Sequence, residues 1–175
     1  MSAVLETSME LPLCGVKLGE VKVDGGSIVI RGACRSDRSR ILEFLESLDT
    51  ETVYERFHHV VSDFRSYVDS LMESGALIVI AELEGKVIGM AEAVACRRDY
   101  VEIGLIVSRG YRGRGVGTAL CTGLAEACKK LGFKGLIAYV KRYNIPVLRI
   151  ARKLGASVKP SEEPDTVLVE ACFEN

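Results

Sequence analysis

The stretch Arg112–Gly117, which reads Arg-Gly-Arg-Gly-Val-Gly, constrains the fold of this chain more than any other feature of its sequence. It follows a β-rich run and precedes a helical pattern that extends to about Leu131, where Gly132 ends it. Glycines permit turns that a Cβ atom forbids, and they let the backbone approach an anion closely. The helix N-terminus adds unpaired N–H groups and the positive end of a dipole. The stretch therefore predicts a strand-to-helix junction that binds a pyrophosphate.

Other loops with similar glycines fit this sequence less well. A Walker A loop ends in Gly-Lys-Ser/Thr, which does not occur here. A Rossmann fingerprint has the spacing G-x-G-x-x-G, whereas Gly113, Gly115 and Gly117 alternate and follow a predicted hairpin. A glycine-rich helix entry without a ligand is the structural alternative. The two arginines argue against it, because they add positive charge where phosphate oxygens would lie.

Hydrophobic periodicity predicts a mixed order of elements, with antiparallel hairpins first and a β-loop-α-β-α pattern afterwards. The predicted strands cover 27–31, 76–81, 86–95, 99–107, 134–140 and 166–173. The predicted helices start after Ser36 or Asp37, run in pieces over 49–73, and cover 116–131 and 144–154, the last capped by Asn144. We expect residues 27–175 to form a single domain, with residues 1–26 as an extension whose strands pack on it.

Composition restricts the classes of function. The 175 residues include 48% hydrophobic and 27% charged side chains, which suits one packed domain. The net charge of −1 gives no support to direct nucleic-acid binding. No apolar run is long enough to span a membrane, and residues 1–6 do not resemble a signal peptide. We therefore expect a cytoplasmic protein that acts as a monomer or homodimer.

The six cysteines do not form a C-x-x-C pair, so the sequence predicts no metal site. Cys121 and Cys128 lie seven residues apart on one face of a predicted helix, and both are expected to face the core. We interpret the cysteines as free thiols that act as small hydrophobic side chains. A disulfide is the alternative, and it would be unusual in a reducing compartment.

From about residue 27 to 173 the chain resembles the GNAT superfamily of acyl-CoA-dependent N-acetyltransferases. Arg112, Gly115 and Gly117 match the family signature Arg/Gln-x-x-Gly-x-Gly/Ala, and 144–155 match a second block that opens with Asn and ends in Lys-Leu-Gly. The resemblance implies an α/β (α+β) fold. Its central sheet is mixed and mostly antiparallel, is flanked by helices, and splays around a bulge at the strand before the cofactor loop.

The resemblance also implies the binding mode of acetyl-CoA, without a metal. Pantetheine would bond to the splayed strand in the manner of an added strand, and the pyrophosphate would contact the amides that follow it. The implied cofactor-binding residues are Leu105, Ile106, Val107, Arg112, Gly113, Arg114, Gly115, Val116, Gly117, Thr118 and Asn144.

Acetylation of an amine needs a neutral nucleophile, and a lysine side chain is mostly protonated at pH 7. Glu102 is the first candidate for the general base, because a charge in so apolar a strand must face a cleft or a partner. In protein lysine acetyltransferases of this superfamily a Glu at the matching position is the base. Glu92 is the second candidate, either holding water near the amine or binding a cationic substrate. The alternative for Glu102 is a solvent-facing side chain, and we expect His58 and His59 on a helix surface.

Residues 49–57 resemble a helix of Pat-type protein lysine acetyltransferases, in which a Glu-Ser-x-Tyr-x-Arg-Phe run recurs. This implies a protein lysine as the acceptor. A small amine, a protein N-terminus and a non-catalytic acetyl-CoA sensor remain as alternatives. Many GNAT enzymes carry a Tyr acid on the helix after the Asn. Here that position is Ala151, so the resemblance supplies no phenol to protonate the leaving thiolate.

Overall fold

The computed structural model describes residues 9–173, and this part of the chain is built around an eight-stranded sheet. Residues 1–8 lie outside the described residues. They include residues 1–6, which were compared with a signal peptide in the sequence analysis. The strands are β1 (Lys17–Val23), β2 (Gly26–Gly32), β3 (Leu77–Leu83), β4 (Lys86–Arg97), β5 (Tyr100–Val107), β6 (Gly135–Lys141), β7 (Ser157–Pro160) and β8 (Thr166–Cys172).

The strands are ordered β1-β2-β3-β4-β5-β6-β8-β7 across the sheet. Every neighbouring pair is antiparallel except β5 and β6, which are parallel. This confirms the mixed, mostly antiparallel sheet. The predicted hairpin of β3 and β4 turns at Glu84 and Gly85, which both adopt positive φ. The short strand β7 was not predicted.

Five α-helices occur in the described chain: α1 (Arg38–Glu46), α2 (Thr50–Phe57), α3 (Phe64–Glu73), α4 (Val116–Lys130) and α5 (Ile145–Lys153). The Asp49 carboxylate caps α2 by accepting the N–H of Thr52 at 2.8 Å. Asp37 and Asn144 precede α1 and α5 as predicted, but neither side chain makes a capping hydrogen bond. The expected capping role of Asn144 is therefore wrong. Within residues 9–173, every helix is too short or too polar to traverse a lipid bilayer.

The sheet is covered on both faces, because alternate residues of its central strands point in opposite directions. On one face Ile78, Ile80 and Met90 pack with α1 and α3. On the other face Val79 and Ala91 pack with α4. A smaller cluster joins α5 to β6 and β8. The central strands are thus held rigidly, and they position the side chains that follow.

The cysteines differ from the sequence interpretation. Cys14 and Cys34 form a disulfide, with 4.4 Å between their Cα atoms, so the expectation of free thiols is wrong for this pair. Cys128 is buried in the core, as predicted, whereas Cys121 is half-buried and lines a cavity that is described below. Burial raises the pKa of each of these two thiols to about 12.

Candidate active site

A gap opens in the sheet between β5 and β6. The two strands pair only where Tyr100–Glu102 lie beside Gly135–Ile137. Beyond this point β5 follows β4 as far as Val107, while β6 follows β8. The diverging edges leave backbone N–H and C=O groups that can bond an extended amide chain such as pantetheine. The register of β5 on β4 shows no shift between Val101 and Val107, so the expected bulge at this strand is wrong.

The glycine loop joins β5 to α4 at the same end of the gap. Gly113 and Gly115 have φ of +76° and +85°, and a Cβ at either position would meet open space. The first amides of α4, which follow directly, have no partner within the helix. Gly117 has a different role, because its Cβ would lie 2.9 Å from Cδ1 of Ile150. It allows α4 to approach α5 closely.

The loop arginines are placed differently from each other. Arg112 donates from Nε to the carbonyl of Val107 at 3.2 Å and from Nη2 to Oγ1 of Thr52 at 3.0 Å. The Glu55 carboxylate lies 3.7 Å from the same guanidinium. Arg112 therefore ties the loop to α2, whereas the sequence placed it where phosphate oxygens would lie. Arg114 is exposed, and its guanidinium lies 5.7 Å from the ring centroid of Tyr111.

A cavity of about 1130 Å³ extends from the gap towards α2. It is lined by parts of α2, β4, β5, β6, α5 and the segment between β7 and β8. Five acidic side chains and one guanidinium occur among its described lining residues. The acidic residues are Glu55, Glu92, Glu102, Glu162 and Glu163, and the guanidinium is that of Arg56.

The two predicted catalytic carboxylates lie in contrasting environments. Glu102 is exposed and faces the cavity from β5. Glu92 is only 2% exposed. Its Oε1 accepts hydrogen bonds from the Tyr67 hydroxyl at 2.7 Å and from Arg56, with which it forms an ion pair. Its Oε2 is buried without a partner in the described chain, as is Nε of Arg56. Glu102 can thus meet a substrate directly, while Glu92 belongs to a buried network.

His58 also faces the cavity, so its predicted surface position is wrong, whereas His59 is exposed as predicted. His58 ends α2 with φ of +64°, and its backbone N–H donates to the carbonyl of Tyr54 at 2.8 Å. Its Nε2 is buried without a partner among residues 9–173. Burial, assisted by Lys141, lowers the pKa of its imidazole. The periodicity of the helix gave no sign of this placement, because the chain turns at His58.

Asn144 and Ala151 also line the cavity, as does Tyr139 of β6. Ala151 carries no phenol, which agrees with the departure noted in the sequence. Since the Asn144 side chain makes no capping bond, it is available to a ligand in the gap. Among residues 9–173, no three His, Cys, Asp or Glu side chains are arranged to hold a metal ion.

The model of the acetyltransferase (GNAT) family matches residues 41–156. Solved structures of similar fold include the GNAT domain of PAT from S. lividans, with 23% identity, a TM-score of 0.76, and coverage of 88% of this chain and 97% of that chain. A GNAT phosphinothricin acetyltransferase from Sinorhizobium meliloti, in complex with acetyl-CoA, has 24% identity, a TM-score of 0.70, and coverage of 83% and 88%. A ribosomal-protein-alanine N-acetyltransferase from Brucella melitensis has 20% identity, a TM-score of 0.67, and coverage of 82% and 99%.

Proposed function

The chain belongs to the GNAT family of acetyltransferases and uses acetyl-CoA as its donor, and we propose that it acetylates the side-chain amine of a protein lysine. The observation that carries this proposal is the charge of the cavity. Five carboxylates line it, of which Glu92 is paired with Arg56 and Glu55 with Arg112. Glu102, Glu162 and Glu163 line it without an ion pair in the described chain, so the cavity keeps an excess of negative charge. Clefts lined by one sign of charge concentrate ligands of the opposite sign. A lysine side chain is cationic, long and slender, and it suits such a cavity.

The resemblance of residues 49–57 to Pat-type enzymes supports a protein acceptor. Arg56 and Phe57 from this stretch line the cavity. Since residues of α2 line the cavity, a polypeptide lying along this helix would insert one side chain towards β5.

The donor would occupy the gap between β5 and β6. Leu105, Ile106 and Val107 would bond the pantetheine arm, with Asn144 on the opposite side. The amides from Gly113 to Thr118, including those of Gly115, Val116 and Gly117, would hold the pyrophosphate together with Arg114. Arg112 would act indirectly by holding the loop.

Glu102 would act as the general base for the attacking amine, and Glu92 would contribute to binding the cation. Backbone N–H groups along the free edge of β5 could stabilise the charge that develops on the thioester oxygen. With Ala151 in place of a Tyr, CoA would leave as a thiolate, whose pKa of about 8 to 9 makes it a fair leaving group.

The test is a search for acetylated sites by tandem mass spectrometry after incubation with acetyl-CoA. The substrate is a peptide that carries one lysine and a free N-terminus, and a small diamine is tried in parallel. We expect acetylation at the ε-amine. Acetylation of the α-amine alone would support the second candidate, a protein N-terminal acetyltransferase, which the similarity to the Brucella enzyme suggests. Thiol release with the diamine alone would contradict a protein acceptor.

A further inference from the structure

We propose that His58 is a second catalytic group of this site, which takes the proton that the acceptor's ammonium must lose before the amine can attack. This inference rests on the proposed function, because it assumes a cationic amine in the cavity. It assigns a role to a side chain that neither the sequence nor the family signature identified.

The unpaired ring nitrogen of His58 indicates a missing ligand. Buried polar atoms in proteins are nearly always hydrogen-bonded, so each exception needs an explanation. Nε2 of His58 is buried and has no partner in the described chain, and the ring lines the cavity. An N–H from a bound ammonium would supply the missing partner.

The imidazole of His58 is also held in place by the backbone around it. His58 sits in the left-handed region at the end of α2, a conformation in which His is enriched among non-glycine residues. α2 is itself fixed to the cofactor loop, since Arg109 pairs with Asp49 at 3.2 Å and Arg112 bonds Thr52. The imidazole is therefore positioned before a substrate arrives.

Four charged side chains act on the imidazole of His58. Arg56 of α2 and Lys141 of β6 disfavour the imidazolium, while Glu163 and Asp165 from the segment between β7 and β8 favour it. Lys141 is fixed, because its Nζ lies 2.9 Å from the Asp165 carboxylate and 5.4 Å from the ring centroid of Tyr54. Burial has the largest effect, and together with the two cations it lowers the pKa of the imidazole. His58 is thus neutral near pH 7 and able to accept a proton.

The proton balance accommodates two bases. The ammonium gives its first proton to Nε2 of His58, and the resulting amine attacks the thioester carbon. The C–N bond forms, and the tetrahedral intermediate loses its second proton to Glu102. The C–S bond then breaks, and CoA leaves as a thiolate with the bonding electron pair. Both bases return their protons to water.

The experiment compares His58→Asn with His59→Asn, its exposed neighbour, because Asn tolerates the left-handed conformation. The readout is kcat/KM for a lysine peptide between pH 6.5 and 9.5. At pH 7 we expect a loss of roughly 10²-fold for His58→Asn and no loss for His59→Asn. The deficit should narrow as the pH approaches the pKa of the acceptor amine, about 10.4, because the free amine needs no first base. The deficit of Glu102→Gln should persist over the same range.

The inference would be overturned if His58→Asn left kcat/KM unchanged, or if it lowered kcat/KM by the same factor at every pH. An inactive wild type would instead contradict the proposed function, and NMR then tests His58 without turnover. In labelled protein with CoA present, we expect the His58 imidazole to titrate below the ordinary histidine value of about 6.5. We also expect its Nε2 resonance to shift when a conjugate of CoA and a lysine peptide binds. Titration of His58 at or above that ordinary value, or an unchanged Nε2 resonance, would overturn the inference.

Discussion

The guanidinium of Arg56 occupies the space above Gly104 that any side chain at that position would need. This contact brings α2 against β5 and lets Arg56 reach Glu92 on the neighbouring strand β4. Two sequence features far apart in the chain are thereby linked. A glycine in an apolar strand and an arginine at the end of a short helix together place a buried ion pair at the floor of the cavity.

Replacing Gly104 by Ala should displace the Arg56 guanidinium and leave the Glu92 carboxylate buried without its cation. Breaking a buried ion pair costs about 3–5 kcal/mol, so we expect a loss of that order in the free energy of unfolding, measured with urea. Gly110→Ala is the matched control, since a Cβ there meets nothing within 4 Å.

A double-mutant cycle adds a second check on the contact between Arg56 and Gly104. In an Arg56→Ala background the added methyl group has no guanidinium to displace, so Gly104→Ala should cost much less. Equal costs in both backgrounds would show that this contact does not position Arg56.

Alanine substitutions of Arg112 and Arg114 should have different effects, one on thermal stability and the other on acetyl-CoA affinity. Arg114→Ala is expected to weaken acetyl-CoA binding several-fold, more so at low salt, because an exposed charge near phosphates is screened by ions. Arg112→Ala should instead lower the thermal stability of the free protein, since it releases α2 from the loop. Calorimetric titration and thermal unfolding measure the two effects. A larger loss of affinity from Arg112→Ala in a protein of unchanged stability would reverse these roles.

The environment of Asp37 predicts that the free energy of unfolding decreases at acid pH. Its carboxylate is 1% exposed, and although burial raises its pKa, hydrogen bonds from Arg31 and the Cys34 N–H hold the pKa at about 2. Because this lies below the unfolded value of about 3.9, the stabilisation is complete above that value and is lost as the pH falls towards 2. We expect Asp37→Asn to remove about 2 kcal/mol at pH 7 and to flatten the acid limb. An unchanged limb would contradict this, and Asp24→Asn at an exposed turn is the control.

The Cys14–Cys34 disulfide predicts a thiol count. In denaturant without reductant we expect four reactive thiols, those of Cys96, Cys121, Cys128 and Cys172, and six after reduction. Six thiols before reduction would contradict the bond. Since the bond closes a loop of about 20 residues, Cys34→Ser should lower the free energy of unfolding by about 3 kcal/mol in the oxidised protein.

The fold was predictable wherever a repeating pattern or a turn signal spans many residues. A β-rich run, the turn at Glu84 and Gly85 and a returning run marked the hairpin of β3 and β4. Helical spacing marked α1 and α4, with Gly132 at the end of α4. The glycine spacing before α4 predicted a strand-to-helix junction, and the structure has one between β5 and α4. The strand β7 escaped detection because four residues that end in Pro160 are too few to show alternation.

The remaining features depend on contacts that no local pattern encodes. Cys14 meets Cys34 because Gly32 leaves room for the backbone of Leu13 to pass. His58 turns into the cavity because α2 ends at Phe57 and His58 itself adopts a left-handed conformation, whereas the sequence predicted helix in pieces over 49–73. Arg112 was assigned to phosphate on its sequence position, and only the placement of α2 reveals its partner Thr52.

The most direct test of the account measures kcat/KM for a lysine peptide with wild type and Glu102→Gln, alongside the acetyl-CoA dissociation constant of each. Glu126→Gln on the exposed side of α4 is the matched control. We expect a fall in kcat/KM of roughly 10²-fold or more for Glu102→Gln, with an unchanged dissociation constant. An unchanged kcat/KM in the Glu102 variant would contradict it.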